Sequence, residues 1–177
     1  HGEEFFEHGG YKHGATIYDE ITRIPLIIKL PRNLQYRQKR IKDLVQGIDI
    51  MPTVLGILNI PIPSQAQGIS LRGMWEGKKD TPKHKYVYAI SSYGLESIRS
   101  RDYKLIYHLL DNQHEFYDLK NDPQEKKNIY GERFDEANRL EEDLSQWKKN
   151  LVSYIVRRDF SPEIDEDLLI TGALLHD

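Results

Sequence analysis

The chain contains no cysteine. Disulfides, thiolate metal sites and a cysteine nucleophile are therefore excluded within it. No apolar run approaches the roughly 20 residues of a membrane-spanning helix, so no membrane partner is expected. A basic excess is also missing. The 25 Lys and Arg residues stand against 28 Asp and Glu, for a net charge of −3, which argues against a nucleic-acid partner. No internal repeat is visible. What is present, 38% hydrophobic and 30% charged residues over 177 positions, is the ordinary composition of a globular chain with a sizeable core.

Turn-formers and periodicity divide the sequence. Residues 1–15 are rich in Gly and His and read as loop. Thr16 to Arg23 reads as a short helix with Thr16 as N-cap and Asp19 three residues on. Ile24 to Leu30, "IPLIIKL", reads as a strand buried on both faces, the kind found in a parallel sheet under helices. The basic "RQKRIK" (Arg37 to Lys42) reads as a solvated linker or helix face. Val54, Leu55, Ile57 and Leu58 suit a short helix after a turn at Asp49 to Pro52, with Pro52 in the first helical turn. Gly77 to Lys85 is polar, basic and contains a proline, which marks a linker.

Beyond that linker, "YVYAIS", "SIRSRDYKLIYHL" and "HEFYDL" read as three antiparallel strands, the last two joined through "LLDNQH". From Phe134 to Ile155, the apolar residues Ala137, Leu140, Leu144, Trp147, Leu151 and Ile155 recur in steps of three or four. That pattern predicts an amphipathic helix, with Leu144 and Trp147 buried against the small sheet. The expected division is residues 1–80, 81–160 and a tail at 161–177, whose "LLITGALL" has no clear period.

The opening "HGEEFFEHGGYKHG" concentrates three of the seven histidines and four of the twelve glycines. Two chemistries could use His1, His8 and His13. One is metal ligation by imidazole beside Glu3, Glu4 and Glu7. The other is proton donation or hydrogen bonding to an oxyanion, with His13 and Lys12 acting together. The spacings of seven and five do not fall on one helical face, which argues against a zincin-type helical site. A glycine beside each histidine suggests close backbone approach to a neighbour.

Several motifs recur in an order that matches a known family. The opening stretch holds His1-Gly2-Glu3, Glu7-His8-Gly9 and Lys12-His13-Gly14. Then come Tyr18, Arg23-Ile24-Pro25-Leu26-Ile27, Asp49-Ile50-Met51-Pro52-Thr53 and Gly68-Ile69-Ser70-Leu71. The later part holds Ile98-Arg99, Asp102-Tyr103-Lys104-Leu105-Ile106, and Phe116-Tyr117-Asp118-Leu119 through Asp122-Pro123, Glu125 and Asn128. In this order, as far as about Trp147, the chain resembles the carboxy-terminal part of a sulfatase of the alkaline phosphatase superfamily, beginning inside an Asp-His-Gly-Glu motif.

The resemblance implies an α/β fold. It would be the carboxy-terminal part of an alkaline-phosphatase-like α/β sandwich, followed by a small antiparallel sheet packed with a carboxy-terminal helix. It also implies sulfate-ester hydrolysis by a formylglycine nucleophile that belongs to an amino-terminal part not in this chain. A divalent cation, commonly calcium, with magnesium or manganese as substitutes, would polarise the sulfate. On this resemblance His1 is the metal or sulfate contact and His13 contacts sulfate, with Lys12 as the fallback. His8 lies behind them or against substrate, and Asp49, Pro52 and Thr53 are structural. "DLKNDPQE" reads as a turn in the small sheet. The implied partners are a sulfate-ester small molecule or sulfated glycan and the chain's own amino-terminal segment. The isolated chain is expected to be inactive, and to belong to a larger protein or associate with itself. A phosphonate or phosphate ester hydrolase, a phosphoglycerol-transferase-like member of the superfamily, and a non-catalytic binding module are the alternatives.

Overall fold

A computed structural model describes residues 1–13, 15–31, 34 and 40–156, with side chains as far as residue 151. The tail at 161–177, Gly14, Arg37 to Lys39 and the Ile155 side chain lie outside the described residues. The chain divides into two compact units. One joins His1–Ile24 to the residues from Tyr88 onward, and the other is Pro25–Val87.

The first unit opens with two short antiparallel strands, β1 (Glu4–Phe5) and β2 (Tyr11–Lys12), in the register Glu4↔Lys12 and Phe5↔Tyr11. Helix α1 (Asp19–Thr22) follows. It is shorter than the expected Thr16–Arg23 helix, and its N-cap is Tyr18. Thr16 lies two residues before that cap, and its hydroxyl instead donates to the Glu4 carboxylate at 2.9 Å.

In the second unit a single 3-10 turn (Gly47–Asp49) leads into α2 (Ile50–Ile57), and α3 (Arg72–Glu76) follows. Asp49 is fully buried. Its carboxylate accepts the amides of Gln46 and Ile69 and meets the His84 ring at 2.9 Å. Thr53 accepts the Leu71 amide at 2.9 Å. Pro52 is the third residue of α2, where no intrahelical amide bond is lost. The expected strand at "IPLIIKL" is not formed. Ile24 to Ile28 belong to no regular element, and Ile27 is 89% exposed. A strand exists only through ladder bonds to a neighbour, and none of the described strands pairs with this run.

The first unit resumes at Tyr88, the second residue of β3 (Val87–Ser91), which with β4 (Leu95–Arg99), β5 (Tyr103–His108) and β6 (Gln113–Asp118) forms an antiparallel sheet in sequential order. Three strands were expected and four are present. The extra break falls inside "SIRSRDYKLIYHL", where the Ser100 hydroxyl accepts the amides of Asp102 and Tyr103. Such local side-chain capture of backbone donors stops a strand and turns it. Helix α4 (Phe134–Val156) completes the unit.

Both sheet faces are covered. Glu96 meets Lys148 at 2.8 Å and His114 meets Glu141 at 3.3 Å, so these strand positions face α4. Two residues on from each lie Ile98 and Phe116, which share this face with Leu105 opposite them in the ladder. All three are fully buried, as is Ala137 of the helix, with Leu140 and Leu144 nearly so. Trp147 is half-buried rather than buried, since it reaches the edge strand and stacks on Tyr88 with centroids 4.3 Å apart. On the opposite face, Leu95, Ile106 and Tyr117 pack with Leu119 and with Ile17 of the opening segment.

Candidate active site

The opening hairpin is held from beneath by Glu4, which is 2% exposed. One carboxylate oxygen accepts the amides of Gly10 (2.8 Å) and His8 (3.0 Å), and the other accepts the Thr16 hydroxyl. Burial alone would raise the Glu4 pKa, but these donors outweigh it and leave it below the ordinary value. The close fit explains Gly10, whose absent Cβ would stand 2.8 Å from a Glu4 oxygen. Gly2 is more constrained still, since a Cβ there would lie 1.8 Å from the Glu20 carbonyl oxygen.

This packing brings His1, Glu3 and His13 together. Their ligand atoms all lie within 4.8 Å of one another. His13 Nδ1 is 2.7 Å from Glu3 Oε1, and the His1 and His13 rings are 3.9 Å apart between centroids. Lys12 is the neighbour of His13, exposed, with its ammonium 5.7 Å from the centre of the Tyr11 ring.

His8 is placed elsewhere. Its Nδ1 meets Glu20 at 2.8 Å, its Nε2 bonds the Glu125 carbonyl oxygen at 2.9 Å, and its ring stacks on Tyr18. The Nε2 bond to the Glu125 carbonyl and the ring's place against Glu20 and Tyr18 make His8 a brace of the hairpin against the body of the unit. Glu7 accepts the Phe5 amide with its carboxylate and the Lys126 ammonium with its carbonyl.

Beneath the hairpin lies a charged network that sequence reasoning did not find. Lys104, 1% exposed, meets Glu125 at 2.7 Å and Asp19 at 3.2 Å, and Arg99 also reaches Asp19 at 3.2 Å. Glu125 in turn accepts the Asp19 amide at 2.6 Å. Burial opposes ionisation of Asp19, but Lys104 and Arg99 hold its pKa below the ordinary value. For Glu125 burial prevails over Lys104 and the pKa is raised. A second cluster forms where Tyr18 and Tyr117 both donate to Glu115, which also meets His108 at 2.7 Å. Burial, reinforced by the Glu115 carboxylate, pushes both phenols upward. The available signal was a charged Lys104 at an inward position of an otherwise apolar strand.

Comparison with known proteins follows the same residues. The family described as N-sulphoglucosamine sulphohydrolase, C-terminal, matches residues 6–151. An N-acetylglucosamine-6-O-sulfatase of Bacteroides thetaiotaomicron is 30% identical over 94% of the chain. A Delta 4,5-hexuronate-2-O-sulfatase of the same organism is 30% identical over 73% of it. The chain spans 31% and 28% of those proteins' lengths. Among solved structures, a 2-O GAG sulfatase aligns with 93% of this chain and 37% of its own, at 28% identity and a TM-score of 0.61. A phosphonate monoester hydrolase of Silicibacter pomeroyi shares the fold at 19% identity and a TM-score of 0.57, covering 84% of this chain and 32% of its own. The ordered motifs, the sheet-and-helix unit and the match over residues 6–151 lead to one conclusion: the chain belongs to the sulfatase family, in the region described by its C-terminal domain.

Proposed function

We propose that the full-length protein hydrolyses sulfate esters on an amino-sugar or uronic-acid glycan, and that the opening segment of this chain supplies part of its sulfate- and metal-facing surface. The observation that carries this reading is the convergence of His1, Glu3 and His13 on one edge of the hairpin. The relatives, which act as 6-O- and 2-O-sulfatases by name, support the substrate class.

In this reading His13 contacts the sulfate. Its Nδ1 is held by Glu3, which leaves Nε2 as the atom free to meet an oxyanion. Lys12 is the fallback for that role, and a lysine would serve as a point charge rather than an oriented donor. His1 is the metal ligand, with Glu3 beside it. One carboxylate oxygen and imidazole nitrogens fit an edge of a divalent site. Calcium asks for six or more oxygens, so the remaining ligands would come from the amino-terminal part, as would the formylglycine nucleophile. A cation bound there would draw charge from the sulfate oxygens. His8 acts indirectly by fixing the hairpin.

The test uses the full-length protein on sulfated glucosamine and hexuronate saccharides. Loss of one oxyanion donor typically lowers turnover by about 10²–10³. His13→Ala is therefore expected to lose at least about tenfold in turnover, with an unchanged melting temperature. Full turnover in that variant removes His13 from the site. Faster hydrolysis of a phosphonate ester than of any sulfate ester would replace the proposed activity.

A further inference from the structure

The opening hairpin displays an aromatic surface that the sulfate chemistry does not use. Phe5 is 66%, Phe6 68% and Tyr11 58% exposed. Phe6 and Tyr11 stack with centroids 5.3 Å apart and planes 20° from parallel, and Phe5 meets Tyr11 edge-on at 6.4 Å. Aromatic rings left in water at such a site mark a contact surface more often than an accident of packing. The elsewhere-buried Phe116 and Tyr117 of the same unit show that it can bury such rings.

The presentation is also held in place. Phe6 has φ +70°, a left-handed conformation that a bulky residue adopts only when its surroundings impose it. The imposing contacts are the Phe6 amide bond to the Gly10 carbonyl and the grip of buried Glu4 on the amides of His8 and Gly10. A platform fixed before its ligand arrives loses little entropy on binding.

Position and charge identify the ligand. Tyr11 lies two residues before His13, and although Lys12 between them has φ +73°, two peptide steps keep the two Cα atoms within about 7 Å in any conformation. An anionic group held at His13 would therefore leave the ring that bears it, or the next ring, over Tyr11 and Phe6. The Lys12 ammonium beside Tyr11 suits an anionic ligand, and the Glu7 carboxylate is occupied by the Phe5 amide. A saccharide ring has an apolar C–H face that packs on a flat aromatic surface, with its hydroxyls directed at water around the rim.

We infer that Phe6 and Tyr11, flanked by Phe5, form a stacking subsite for a sugar ring of a sulfated saccharide, adjoining the sulfate position. This rests on the sulfatase reading for its ligand class. The subsite would contribute affinity and choice of substrate, leaving the hydrolytic step to other groups.

The test replaces both rings by leucine, Phe6→Leu with Tyr11→Leu, in the full-length protein. Leucine keeps apolar bulk but has no flat face. Binding of a sulfated glucosamine oligosaccharide is measured by calorimetry, and hydrolysis is followed on that saccharide and on a short alkyl sulfate without a ring. Two lost stacking contacts correspond to roughly tenfold in affinity. The expected result is a dissociation constant and KM for the saccharide raised about tenfold, with the alkyl sulfate hydrolysed as before and the melting temperature retained. Unchanged saccharide affinity overturns the subsite. So does an equal loss on the alkyl sulfate, which would make the rings supports of the sulfate position. A fallen melting temperature with saccharide affinity intact overturns it too, since the rings would then pack against the rest of the protein. If the wild type hydrolyses no sulfate ester but its saccharide affinity still falls in the variant, the proposed activity fails and the subsite stands. Absence of saccharide binding by the wild type overturns the subsite.

Discussion

Lys104 sits between two carboxylates in a place almost closed to water. Its ammonium balances Asp19 and Glu125, and Arg99 supplies the second positive charge. Removing one member of such a buried set is costlier than the pair's net contribution, because the others remain buried and unbalanced. Lys104→Met should therefore destabilise the full-length protein by about 3–5 kcal/mol in urea titration. A loss below about 1 kcal/mol would indicate that water reaches the cluster and compensates it. This network was not legible in the sequence. Asp19 lies 85 residues from Lys104 and 106 from Glu125, and no local pattern encodes an ion pair over that distance. The opening histidines were legible as a group because they are close in sequence. The separation of His8 from His1 and His13 was not, since it depends on Glu20 and on the Glu125 carbonyl.

At the level of elements, α4 was the most legible feature. Its apolar residues repeat at helical spacing over about five turns, and the observed helix ends one residue from the expected limit. Burial along that stripe is graded. Leu144 is 2% exposed, whereas Trp147 keeps one side open beyond Tyr88. Leu144→Ala should cost about 2–5 kcal/mol. Trp147→Ala should cost less, about 1–3 kcal/mol, because only part of the ring leaves contact. Thermal melts of the two variants check the order, and a larger loss at Trp147 would put the indole at the centre of the interface. The "IPLIIKL" run shows the limit of pattern reading. Composition states that a segment favours a strand, but ladder partners decide whether one forms. The turn at Ser100 was hidden for the opposite reason, being made by a single hydroxyl inside a run of good strand formers.

At the scale of the whole molecule, 177 residues account for about a third of the length of the sulfatases they match. Among the described residues, the candidate metal donors are His1, Glu3 and His13, too few for a hard cation. No serine lies in a Ser-x-Pro-x-Arg setting, and cysteine is absent. Positioned groups without a nucleophile retain little rate enhancement. The 177-residue chain alone is therefore expected to show no turnover of an aryl sulfate with calcium present. Turnover above the uncatalysed rate, in a sample whose mass excludes additional residues, would overturn this. The exposed Ile24 to Ile28 run is expected to make the isolated chain self-associate, as read by sedimentation.

The first unit is assembled from two pieces far apart in the chain. Its ties run from His8 to Glu125, 117 residues apart, and from Tyr18 to Glu115, 97 apart. The sheet hairpins and α4 close over short loops and can form early. Docking the opening segment closes a much longer loop and brings its compensating contacts only at the end. That segment should therefore be the last part to fold and the first to detach, exchanging its amide hydrogens through openings that leave β4 to β6 protected. The histidines ride on this late-docking piece. On the proposed activity, mild heating of the full-length protein would then lower turnover while the amides of β4 to β6 stay protected, so inactivation and unfolding of the sheet would have separate midpoints.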